Sequence, residues 1–98
     1  MWIGWIEFDL IIERSASLKE KRSVVKPLVT ELRQKYAVSA AEVGHLDLRR
    51  RAAVGVGCVS PDRTHLVEVL DACERLVAAR WDTQLITATR TLRRSEDE

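Results

Sequence analysis

The chain predicts an α+β domain, a four-stranded antiparallel sheet with two helices on one face, and three observations carry that prediction. Apolar residues recur with a period of two in some segments and with a period of about 3.6 in others. Those segments follow the order strand, helix, strand, strand, helix, strand. The length of 98 residues suits one core of modest size and leaves no room for a second domain.

Residues 2 to 13 alternate. Trp2, Ile6, Phe8, Leu10 and Ile12 share one parity, while Glu7, Asp9 and Glu13 share the other with Ile3, Trp5 and Ile11, which describes a strand with one face in the core. The segment RSAS ends the alternation. Ser17 and Glu20 then form a Ser-x-x-Glu capping box that starts a helix at Leu18. Leu18, Val25, Leu28, Val29, Leu32 and Tyr36 fall on one face and carry this helix to Tyr36. Pro27 lies inside it, removes the hydrogen bond to the Ser23 carbonyl, and is expected to kink or divide the helix.

Residues 37 to 46 and 51 to 60 read as strands joined by a short polar turn around Asp47-Leu48-Arg49-Arg50, an antiparallel hairpin. Pro61 suits the first position of a second helix, whose buried stripe is Leu66, Val69, Leu70, Cys73, Leu76 and Val77 and whose end falls near Trp81. Residues 83 to 92 are rich in β-branched side chains and make the last strand. The domain is therefore expected to occupy residues 1–92, with a polar tail at 93–98. Right-handed crossovers place the strands in the order 4-1-3-2 with both helices on one face, a ferredoxin-like βαββαβ arrangement.

The net charge of +1 gives no global attraction toward nucleic acid, but the charge is unevenly placed. Residues 13 to 36 hold seven basic side chains against three acidic ones, whereas residues 62 to 82 hold five acids against three bases. Cys58 and Cys73 are too few and too far apart for a metal cluster, and each falls in an apolar segment, as buried free thiols do. The apolar N-terminal stretch carries Glu7 and Asp9 and lacks a basic start, so it reads as neither signal peptide nor membrane span, and a cytoplasmic location is expected.

At about 100° per residue, Lys19, Arg22, Lys26 and Arg33 lie within roughly 60° of one another on the first helix, with Glu20 and Glu31 on the far side. Such a row is either a solvated helix flank or a phosphate-facing stripe. The second strand runs parallel to the first, so the hairpin carrying Arg49, Arg50 and Arg51 returns to the end of the sheet where Lys19 and Arg22 begin. Lys21 differs, because its angle lies inside the apolar arc; a structural ion pair with a carboxylate is its expected role.

The open sheet face lacks the paired aromatics that stack RNA bases on an RRM, since Glu7 and Asp9 follow Trp5. Small residues beside Ile3 and Trp5, namely Ala53, Gly55 and Gly57, instead suit close approach by another surface such as a second copy of the chain. No catalytic activity is expected. His45 and His65 fall at opposite ends of the predicted sheet, the chain holds no asparagine of the kind that positions water in acylphosphatases, and no phosphate loop or nucleophile elbow occurs.

The segments SLKEKRSVVKPL, VSAAEVGHLDLRRRAAVGV and VSPDRTH together resemble the bacterial YlxP-like proteins, a family of unknown function with a ferredoxin-like fold. The resemblance covers nearly the whole chain, although Leu46, Arg49 and Arg50 stand where relatives carry a polar residue and Trp-Gln. Genes of such proteins often lie among those for translation initiation and ribosome maturation, which implies an RNA or ribosome setting. The expectation is a non-catalytic protein that binds structured RNA or a ribosomal surface, with no cofactor, no metal, no membrane and no DNA partner. The alternative is an interaction or homodimerisation module working through the open sheet face, and a third reading is a ligand sensor of the ACT type.

Overall fold

The computed structural model describes residues 1–95. The alternating N-terminal segment forms β1 (Trp2–Ile11), a central strand flanked antiparallel by β3 (Arg51–Ser60) and β4 (Gln84–Arg94). β2 (Ser39–Gly44) pairs antiparallel with β3 and forms one edge, so the order across the sheet is β2-β3-β1-β4. That is 4-1-3-2 read from the opposite edge. α1 (Leu18–Tyr36) connects β1 to β2, and α2 (Arg63–Ala79) connects β3 to β4. Both helices pack on the face that carries Ile6, Phe8, Leu10, Ala52, Val54 and Val56, where Leu28, Leu32, Leu66, Leu70, Cys73 and Val77 complete the core.

Local chemistry accounts for the boundaries. Glu20 N–H donates to Ser17 Oγ at 3.1 Å and Ala16 N–H donates to Glu20 Oε2 at 3.1 Å, so the capping box forms with its carboxylate reaching one residue upstream of the cap. α1 is one continuous helix across Pro27, not divided there. The helix survives because Val25, Leu28 and Leu32 are buried on both sides of the proline, and each such burial contributes about 1.5–3 kcal/mol, together more than one proline costs. Ala37 closes α1 in the left-handed region at φ 51°. β2 is accordingly shorter than expected, and its other end stops where His45 adopts φ 55°.

Two further boundaries moved, those at the start of α2 and the end of β4. Asp62 caps α2 by accepting from Thr64 N–H at 3.1 Å, so Pro61 precedes the cap and is not the first helical residue. α2 ends at Ala79, near Trp81 as expected. β4 continues through Arg93 and Arg94, which pair with Ile3 and Trp2, and Ser95 N–H donates to the Met1 carbonyl; the expected polar tail therefore begins later, its residues 96 to 98 lying outside the described residues. Gly4 has a tertiary role that periodicity did not reveal. A Cβ there would stand 2.8 Å from Leu70 Cδ1 and 3.0 Å from Leu66 Cδ2, so a side chain at this position would push those leucines of α2 away from β1.

Among the described residues no helix is long and apolar enough to cross a membrane. Cys73 is buried and Cys58 half-buried, both free. Burial raises both thiols, that of Cys73 to about 11, which suits packing and not thiolate chemistry.

Candidate nucleic-acid interface

The β2–β3 hairpin folds back against the loop between β1 and α1. Arg49 Nη1 donates to the Ala16 carbonyl at 3.2 Å, Arg50 Nε donates to the Ser15 carbonyl at 3.2 Å, and Ile12 N–H donates to the Arg50 carbonyl at 2.9 Å. These bonds bring the hairpin to the N-terminal end of α1, where Lys19 and Arg22 are exposed. Each bond uses only part of a guanidinium, which has five N–H donors.

Lys21 anchors the arrangement. It is 1% exposed, and its Nζ donates to the His45 carbonyl at 2.8 Å and the Arg51 carbonyl at 3.0 Å, the two ends of the hairpin. Glu42 Oε2 lies 2.8 Å away, an ion pair by distance though not at hydrogen-bonding angle. The structural pairing expected for this lysine is the one found, and the three oxygens compensate a charge removed from water.

The seven basic residues singled out by sequence do not form one uniform surface. Lys19, Arg22, Lys26, Arg49 and Arg50 are exposed, and among the described residues none of them makes an ion pair. Arg51 is different. Its Nη2 lies 2.6 Å from Asp9 Oδ2, because alternation turns its side chain to the open sheet face, diagonal to Asp9. The hydrogen bond from Arg51, with its charge and that of His45 adding to it against partial burial, holds the Asp9 carboxyl below its ordinary value. Arg51 therefore leaves the phosphate-facing set. Arg33 donates from Nε to the Ala40 carbonyl of the edge strand at 3.0 Å, and it sits some 14 residues beyond Lys19, about 21 Å along the helix. It is tied to the start of β2, at the other end of that strand from the hairpin turn.

Several carboxylates lie against arginines elsewhere in the fold. Arg80 holds Asp82 at 2.9 Å and Glu31 at 3.1 Å, and Arg90 holds Asp71 at 2.8 Å and Glu74 at 3.1 Å, stitching α2 to its neighbours. On the far flank of α1 from the basic row, a cleft of about 470 Å³ includes Glu13, Glu20, Asp82 and Trp81, the last 88% exposed. Its carboxylates make it unsuited to phosphate. Arg14, exposed in the lining of the same cleft, is a cation that the helical-row argument missed because it precedes the helix.

On the open sheet face, Ile3, Gly55 and Gly57 are half-buried and Trp5 is 40% exposed. Ala53 is 4% exposed and offers no surface, since it lies between Asp9 on β1 and Gly44 on β2 with Arg51 reaching past it. Among the described residues no group of histidine, cysteine and carboxylate side chains is placed to hold a metal ion.

The model of a family described as a protein of unknown function, DUF503, matches residues 3–90. The uncharacterized protein YlxP of Bacillus subtilis (strain 168) is 41% identical over 61 residues, 62% of this chain and 66% of that relative. The match thus spans just under two thirds of the relative's length. With a family match running from β1 into β4, and with the βαββαβ order in place, the chain belongs to the YlxP-like DUF503 family.

Proposed function

We propose that this protein is a non-catalytic, cytoplasmic RNA-binding domain that docks on structured RNA, such as a ribosomal surface, through the exposed flank of α1 and the β2–β3 hairpin. The observation that supports the reading is that Arg49 and Arg50 bond to Ser15 and Ala16, the residues just before α1, whose exposed first turns carry Lys19 and Arg22 with Lys26 further along, none of the five in an ion pair among the described residues. Cations so placed meet phosphates, whose charge dominates nucleic-acid affinity. Arg49 and Arg50 are steadied by backbone carbonyls, which lowers the entropy lost on docking. No aromatic platform accompanies them, so recognition is of backbone shape, with weak sequence preference.

Fluorescence anisotropy with ribosomal RNA across a salt series tests this. Affinity should fall steeply with salt, and the triple variant Lys19→Glu, Arg22→Glu, Lys26→Glu, its fold verified by circular dichroism, should bind at least about tenfold more weakly. Equal binding by variant and wild type, or no binding by either, ends the proposal.

A further inference from the structure

We infer that the open face of the sheet pairs with the same face of a second copy, Trp5 of each copy seating over Gly57 of the other. A large side chain and a gap stand directly opposite each other in this face: Trp5 and Gly57 are cross-strand partners on β1 and β3. A trough of about 370 Å³ runs over Gly55 and Gly57, with Trp5 on one bank and Val43 on the other. The two glycines differ in what requires them. A Cβ on Gly55 would press on Val43 Cγ1 at 3.2 Å, but a Cβ on Gly57 would meet nothing within 4 Å, and neither has a positive φ. Glycine inside a strand weakens it, so the fold alone does not account for Gly57; close approach by another surface does.

The occupant follows from register and size. A two-fold axis parallel to the strands and midway between β1 and β3 carries β1 of one copy over β3 of the other at the same level. Trp5 then covers Gly57, and Ile3 covers Val59, which is 62% exposed. A knob and a hole in one register row make the face self-complementary, as an isologous contact demands. Area also suffices: four strands spaced ~4.8 Å and central strands of ten residues rising ~3.3 Å each give roughly 600 Å² per copy, and the pair reaches the lower bound of stable interfaces. The same axis carries each Glu7 over Gly55 of the other copy, so the two carboxylates stand at one level on either side of the axis and their repulsion limits affinity.

Sedimentation velocity of the full chain from micromolar to millimolar concentration reads the outcome. Wild type should associate to a dimer, and Gly57→Val should stay monomeric at every concentration while melting no lower than wild type, because its new side chain fills open space in the single copy. Trp5→Lys should also be monomeric, Glu7→Gln should tighten the dimer several-fold, and Lys19→Glu should leave it unchanged, which separates this test from that of RNA binding. A wild type that is monomeric throughout, as when the face serves a different partner, overturns the inference. So does a Gly57→Val protein that dimerises like wild type.

Discussion

Lys21 shows how one residue sets the geometry of the site without belonging to its surface. Its ammonium joins α1 to Glu42 on β2 and to the carbonyls at both ends of the hairpin that bears Arg49 and Arg50. Truncation to alanine strands the Glu42 carboxylate and two carbonyls, and removing one member of a buried pair costs about 3–5 kcal/mol. Lys21→Ala should therefore lower the unfolding free energy in urea by about 3 kcal/mol, and Lys21→Met with Glu42→Gln should lose less than the two single changes added together. Additive losses would show that Glu42 is held by something other than this lysine. The Asp9–Arg51 pair is a weaker device. It is partly exposed, so solvent screens it, and its main effect is to remove Arg51 from the cationic end and to cover Ala53.

The elements differ in how far their own sequence determines them. α1 carries an avoidable cost, since Pro27 leaves the Ser23 carbonyl without its helical partner while the proline ring itself is exposed and contributes nothing to the core. Pro27→Ala should raise stability by about 1–3 kcal/mol in chemical denaturation, with the circular dichroism of the helix preserved. No gain would mean that the carbonyl is already satisfied by water at little expense. The strands and helices were legible because period-two alternation, the Ser17–Glu20 box and the apolar stripes are local signals, and right-handed crossovers then leave few arrangements of the sheet. The site was legible only in outline. The hairpin's return to the start of α1 follows from strand direction, but the fate of each arginine does not: Arg49 and Arg50 lie in the turn and reach carbonyls of a loop thirty-odd positions earlier, while Arg51, the first residue of β3, is committed by alternation to the face that holds Asp9. Net charge in a segment cannot distinguish these cases, because pairing depends on which side of a strand each residue faces. The same limitation hid Gly4, whose need for glycine arises from Leu66 and Leu70 on a helix distant in sequence.

At the scale of the whole molecule, the two proposals meet in a single measurable quantity. A two-fold axis parallel to the strands preserves their direction, so both hairpins of a dimer, and both starts of α1, lie at the same end of the assembly. Each copy offers Lys19, Arg22, Lys26, Arg49 and Arg50 there, and three contacted phosphates per copy would give a slope of log affinity against log salt of about −2.7 on duplex RNA, taking the value known for duplex DNA. Two copies acting on one RNA should about double that slope. The salt dependence of wild type, measured where it is dimeric, should then be near twice that of monomeric Gly57→Val, which keeps every cation of the proposed edge. Equal slopes would show that each copy engages RNA by itself, and a steeper slope for the monomer would mean that pairing buries part of the cationic surface. The second outcome is incompatible with an axis along the strands, since that axis leaves the two cationic ends uncovered and side by side.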